Sequence, residues 1–310
     1  MTSTPDAPTM QHEHYPGLFQ VANAASGKAQ RMHLRLQATY LWLLIAGSAV
    51  SALSPFVPDV AQKWVYAAMA VILAVGLLFM WVSRSRQDDK AWFDCRAIAE
   101  SAKTVTWRYM MKASPFKDEA ALNESFISVL REIRQARPDC QKHFASVTVA
   151  GTIAITDFMR QTRALPPGER KKFYVEQRLR DQKSWYLDRA ELNASLGARW
   201  FWATTGLQCV AVTLAIVQAT SGGLGFSPVP VFTTCAAAAI AWSQMKRHDE
   251  LGKSYALAAQ ELCELEAIAT NGGPESDFPQ LVDQAEEAIS REHTMWCSRR
   301  DTVIRNSVLK

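Results

Sequence analysis

Two sets of side chains in this chain have types and spacings that could do something specific. The first lies inside apolar runs. Thr204, Gln208, Ala211, Ala215 and Gln218 fall at i, i+4, i+7, i+11 and i+14, one small-and-polar stripe along a helix. Gly47, Ser51 and Ser54 do the same in an earlier run. Polar groups are expensive in hydrocarbon, so such a stripe faces a bundle interior or a water path. Two readings stand: close helix packing through small residues, and the lining of a conduit. A conduit of this composition would be weakly selective, since it offers no ring of charges.

The second set is charged and aromatic. In "WFDCRAIAESAKTVTWRYM", Arg96, Glu100, Lys103 and Trp107 recur at i, i+4, i+7 and i+11, opposite part of an apolar seam. Arg96 with Glu100, and Glu100 with Lys103, are helix ion-pair spacings worth on the order of tenths of a kcal/mol each when exposed. Further on, Tyr174, Arg178, Asp181, Gln182, Trp185 and Tyr186 are grouped, and Arg178, Asp181, Gln182 and Trp185 share a helix face. Both groups read as register contacts between helices rather than catalytic residues.

No nucleophile–base constellation, metal-ligand spacing or cofactor fingerprint accompanies them. The glycines of "SGGLGF" follow no strand and open no phosphate loop. His12 and His14 sit in a Pro- and Thr-rich arm, and His33, His143, His248 and His293 are isolated, so no metal is expected. Glu286 and Glu287 read as a solvated helix face. The six cysteines form no CxxC pair, and a disulfide framework is not expected. Catalytic residues and cofactors are therefore expected to be none. The basic clusters "ERKKF" and "RSR" flank apolar runs and suit lipid headgroups better than nucleic acid.

The elements that would position these residues are written in the charge pattern. With 21% charged residues, the chain still runs from Trp200 to Met245 without Asp, Glu, Lys, Arg or His. That exceeds the roughly 20 residues of one bilayer crossing. "SGGLGFSPVP" divides it into two spans with a turn, as such a turn fits only at a membrane surface. Two earlier charge-free runs, after Arg35 and after Lys63, make a second hairpin. The expected spans are about 37–57, 64–83, 200–220 and 226–245. Arg31, Arg35, Arg84 and Arg86 flank the first hairpin, and Arg189, Arg199, Lys246 and Arg247 flank the second. By the positive-inside rule both termini and the long middle are cytosolic.

The hairpins are related by a shift of 160 positions, which maps Trp42 on Trp202, Ser83 on Ser243 and Asp89 on Asp249. After each hairpin an a/d seam continues in the same register: Ala91, Cys95, Ile98, Ala102, Val105 and Tyr109, then Leu251, Tyr255, Ala258, Leu262, Leu265 and Ala269. The expected fold is an all-α integral membrane protein, with two tandem transmembrane hairpins and a cytosolic helical bundle. Its expected parts are a disordered arm (1–14), a first unit (15–137), a connector (138–165) and a second unit (166–310). The run at 145–156 stays open between strand and loop.

"YPGLFQVANAASGKAQRMHLRLQATYLWLL" with "WFDCRAIAESAKTVTWRYMMKASPF" resembles one class of the SLATT family, two-transmembrane effector domains associated with SMODS nucleotidyltransferases and SLOG proteins. "ITDFMRQTRALPPGERKKFYVEQRLRDQKSWYLDRAELN" resembles a second class, with Tyr174, Arg178, Asp181, Gln182, Trp185, Tyr186, Ala190 and Asn193 at its usual spacing. The resemblance implies a bacterial inner-membrane protein and a non-enzymatic effector of a defence system. Such an effector would homo-oligomerise and perforate the membrane on a signal from a separately encoded sensor or nucleotidyltransferase. The alternatives are a membrane scaffold that docks a cytosolic enzyme, and a small-solute channel or transporter.

Overall fold

The computed structural model describes residues 9–144, 153–221, 225–271 and 277–290. Every regular element among them is helical. α1 (Gly17–Leu53) runs to the edge of Pro55, where a short 3-10 turn at Ser54–Phe56 and then Pro58 stop it. Proline lacks the amide hydrogen that a helix interior needs, so both prolines fit only at helix starts. α2 (Asp59–Arg86) carries Asp59 in its first turn and Arg84 and Arg86 in its last. Those signs complement the helix dipole. α3 (Asp88–Met110) follows after one residue, Gln87, in the left-handed region at φ 50°.

α4 (Leu122–Gln135) is amphipathic and buries Phe126 and Leu130. A turn at Pro138–Cys140 leads into the short α5 (Gln141–Phe144). α6 (Asp157–Ala164) is capped by Thr156, whose hydroxyl accepts from the Met159 amide, and α7 (Pro167–Tyr174) starts on a proline. Between α7 and α8 (Asp181–Thr220) the turns widen to π-helical over Val175–Arg180. α9 (Val229–Lys246) breaks at Arg247, φ 52°, into α10 (His248–Thr270), and residues 278–290 form α11.

The repeat is also present in the backbone. Gln87 and Arg247 are 160 positions apart, and α3 and α10 each span 23 residues. Three helical stretches, Gly17–Phe56, Asp59–Met110 and Pro167–Thr220, are long and apolar enough to cross a membrane.

The chain forms two compact units that do not follow the sequence halves. Unit one gathers residues up to Ala29, Asp89–Arg189 and the chain from Ser254 onward. Its core holds Ile98, Trp107, Phe126, Met159, Tyr174 and Leu262, all nearly or fully buried. The α3 seam is buried at Ala91, Cys95, Ile98, Ala102 and Tyr109, and the α10 seam at Ala258, Leu262 and Ala269. These stripes therefore meet partners within one chain.

Unit two comprises Gln30–Asp88 and Ala190–Lys253. Its interior is narrow and its exterior apolar. On α2, Val65, Met69, Ile72, Gly76, Phe79 and Ser83 are buried or half-buried at heptad steps, while Trp81 and Leu77 are 68% and 62% exposed. Trp202 and Ile216 on α8 are exposed in the same way. An outside this apolar suits hydrocarbon, where the hydrophobic effect no longer drives such groups inward.

Two expectations need correction, and one open reading is answered in part. Residues 9–14 do not form part of a disordered arm: His12–His14 make a 3-10 turn, the His14 ring stacks on Phe158 at 4.0 Å, and the Met10 amide donates to Gln177. The arm's first eight residues lie outside the described set. So do 145–152 of the open run, while 153–156 is an irregular segment whose Ile153 carbonyl accepts from the Gly17 amide at 2.9 Å. Finally, Cys95 and Cys140 are joined in a disulfide with Cα atoms 5.4 Å apart. Sequence spacing could not show it, because α4 and the following turn bring Cys140 back to α3.

Candidate functional site

Both charged motifs send residues into the core of unit one. Trp107 on α3 is fully buried, and its Nε1 donates to the Tyr15 hydroxyl at 3.1 Å. The Tyr174 ring meets Trp107 edge-on, with centroids 5.7 Å apart. Arg178 lies 5.9 Å from the Trp107 ring centroid, in cation–π contact. Its guanidinium then closes a two-pronged bond to Glu286 of α11, Nε to Oε1 at 2.8 Å and Nη2 to Oε2 at 2.7 Å. The Tyr174 hydroxyl also donates to Glu286 Oε1, at 3.1 Å, and Arg178 Nη1 donates to Gln182 at 3.3 Å.

Arg178 sits within the π-helical stretch, where Val175, Arg178 and Leu179 are all buried on one face. Arg178 and Glu286 are 2% and 0% exposed, so neither charge has water to fall back on. An unpaired charge at this depth is strongly unfavourable; a bidentate pair with further hydrogen bonds is tolerated.

The electrostatics follow from burial. Desolvation pushes the Tyr15 phenol up to about 12. Burial, and then Glu286, holds Tyr174 well above the ordinary phenol range. Burial alone would lower the Arg178 guanidinium, but Glu286 overcomes it and the net direction is up. Half-buried Lys103 is pulled down by desolvation, with Glu100 opposing and Arg178 adding to the drop. The phenols thus stay neutral, Tyr15 accepting and Tyr174 donating, and the guanidinium stays charged. That chemistry interlocks helices; it offers no activated nucleophile.

The remaining motif residues are dispersed. Arg96 pairs with Glu100 at 2.7 Å and reaches Asn23. Asp181 is exposed and stays outside the cluster. Trp185 and Tyr186 join Tyr255 in an aromatic group, Trp185 also meeting Arg189. Ala190 and Asn193 belong to unit two, where buried Asn193 meets the ring of His248 at 2.8 Å. Burial lowers that histidine's pKa.

Sequence reasoning missed Tyr15 and Glu286. The reading of Glu286 as solvated is wrong, though it holds for exposed Glu287. The available signal was periodicity: Val282, Glu286 and Ile289 share one face of α11, and both neighbours are buried.

The polar stripe of the apolar runs is divided. Thr204, Ala211 and Gln218 face the interior of unit two, and Gln218 bonds the Phe226 carbonyl and the Ser227 hydroxyl. Gln208 and Ala215 face outward. Gly47 is buried, and a Cβ there would stand 3.6 Å from Ile72; Ser51 is exposed and Ser54 half-buried. Among the described residues no cluster of His, Cys, Asp and Glu could hold a metal ion.

Family comparison matches the chain twice: to SMODS and SLOG-associating 2TM effector domain 3 over residues 16–171, and to SMODS and SLOG-associating 2TM effector domain 1 over residues 174–296. The chain belongs to the SLATT family. No curated protein and no solved structure matches it. SLATT domains are effector domains of the two-transmembrane type, associated with defence systems. Here two of them stand in tandem. The buried cluster joins the SLATT halves: Trp107 comes from the first match, and Tyr174, Arg178 and Glu286 come from the second.

Proposed function

We propose that this chain is a non-enzymatic effector of the bacterial inner membrane that oligomerises and opens the bilayer when a separately encoded sensor signals. The tandem SLATT match, spanning residues 16–296, carries this reading. In it, α1, α2, α8 and α9 supply four spans, both termini are cytosolic, and unit one is the cytosolic helical bundle. The apolar exterior of unit two supports membrane residence, and the cation pattern at the span ends supports the orientation. Gln208 and Ser51, exposed on that exterior, would meet water or another copy only in the assembled, open state.

Dye release from liposomes tests this, using the purified protein alone and with its sensor. Release that depends on the sensor is the expected result. Gln208→Leu removes an outward polar group and should abolish release while the protein keeps its yield and folded state. Ala211→Leu adds bulk to an inward position only 5% exposed, and should destabilise unit two by about 1–3 kcal/mol. Full release by Gln208→Leu would remove the stripe from the mechanism. Absence of release under every condition would favour a scaffold.

A further inference from the structure

The Cys95–Cys140 pair stands apart from the Trp107–Arg178–Glu286 cluster and has its own surroundings. Both cysteines are fully buried. Cys95 belongs to the core stripe of α3, and Cys140 closes the turn after α4. Two ion pairs bracket the same junction: Lys90 with Asp139, and Arg137 with Asp94 at 3.1 Å. The exposed Lys142 also pairs with Asp139. The segment 137–144 is thus held to α3 by ion pairs that need no oxidant, and by one covalent bond that does.

We propose that Cys95 and Cys140 are a reversible thiol–disulfide latch that pins residues 137–144 to α3 under oxidative conditions. The proposal rests on the cytosolic placement of unit one given above. In that compartment thiols are kept reduced, so a bond formed there is a response and not a permanent staple. The oxidant is a hydroperoxide. One thiolate attacks the peroxide oxygen, becoming a sulfenic acid and releasing an alkoxide, or hydroxide from hydrogen peroxide. The second thiol attacks that sulfur, forms the S–S bond and expels water. A cellular dithiol reverses the step by exchange and leaves as its own disulfide. Because both sulfurs are buried, each direction requires the short 137–144 segment to open locally, which is where redox state and conformation become linked.

The test uses the full chain in its native membrane. Cells are quenched in acid, alkylated with N-ethylmaleimide and digested, and the cross-linked Cys95–Cys140 peptide is measured against its alkylated parts. The expected ratio rises at least tenfold within minutes of hydrogen peroxide and falls back once peroxide is removed. Cys209, Cys235 and Cys263 stay alkylated as internal references. A pair cross-linked equally in both states overturns the latch, as does a pair alkylated in both. A reporter fused after Arg86 separates the causes: an external signal means the orientation failed, and a cytosolic signal means the switch failed. Trypsin cleavage after Lys142 in purified protein supplies the conformational readout. Cleavage should be at least fivefold slower in the oxidised form, and Cys140→Ser should cleave at the reduced rate regardless of peroxide. Equal rates in the oxidised and reduced wild type overturn the latch.

Discussion

At the scale of single residues, Glu286 is where the stakes are highest. It accepts from Arg178 twice and from Tyr174 once, with no exposed surface of its own. Glu286→Gln leaves a permanently charged guanidinium buried without its counter-ion, so unfolding should be easier by about 3–5 kcal/mol. Replacing both partners, Arg178→Met with Glu286→Leu, should recover most of that loss, since neither apolar side chain needs a partner. Denaturant unfolding in detergent distinguishes the two, and a double variant no better than the single would mean that Tyr174 and Gln182 depend on the pair. The tyrosines add a pH signature. Tyr15 ionises near 10 in an unfolded chain and near 12 when folded, so its contribution is complete below pH 10. It is lost as pH climbs from about 10 to about 12. Tyr15→Phe should flatten that limb of a stability-against-pH curve while leaving the neutral range nearly level. Little of this site was legible in the sequence. Arg178 and Tyr174 stood out through their grouping, but an acid beside another acid, as in Glu286–Glu287, looks like a wet surface until its helix is docked.

At the scale of elements, the two exit helices show what local patterns can and cannot give. Heptad steps marked α3 and α10 correctly as carrying packing stripes, because 3.5-residue periodicity is a property of neighbours in sequence. The identity of the partner is a tertiary matter, and here the stripes are buried within one chain. The test is a pair of substitutions on α10. Leu262 is fully buried and Leu257 is 53% exposed. Leu262→Ala should lower stability by about 2–5 kcal/mol, whereas Leu257→Ala should change it by less than about 0.5 kcal/mol. Similar effects at both positions would contradict this assignment of faces. The Cys95–Cys140 bond lay beyond reach for the same reason as the Glu286 contact. Its 45-residue separation says nothing about distance until α4 turns the chain around.

On the scale of the whole molecule, charge-free length made the long apolar helices readable, since hydrocarbon thickness sets a span length that any sequence must meet. The division into units was not readable. Both halves of the chain contribute to both units, so a boundary drawn in sequence cuts across each of them. The orientation proposed above has a direct check. Reporters fused after Arg86, near Gly168 and at Lys310 should all report the cytosol, and one at Gly222 should report the opposite side. A cytosolic signal at Gly222 would refute the four-span arrangement and, with it, the placement of Thr204 to Gln218 in the bilayer.

The wide turns at Val175–Arg180 have a consequence in terms of chain length. A π-helical turn is an α-helix that has taken in an extra residue. Upstream of it Tyr174 meets Glu286, and downstream Tyr186 stacks with Tyr255 at 5.7 Å, so two docking points are phased by that surplus residue. Deleting one residue there would let the helix relax to its commoner form with the phase nearly kept, whereas tightening with every residue retained would turn everything after it by about 100°. Tyr186 would leave the core and an exposed neighbour would take its place. The wide turns work as slack: the phase between the two docking points depends on their taking up that surplus residue.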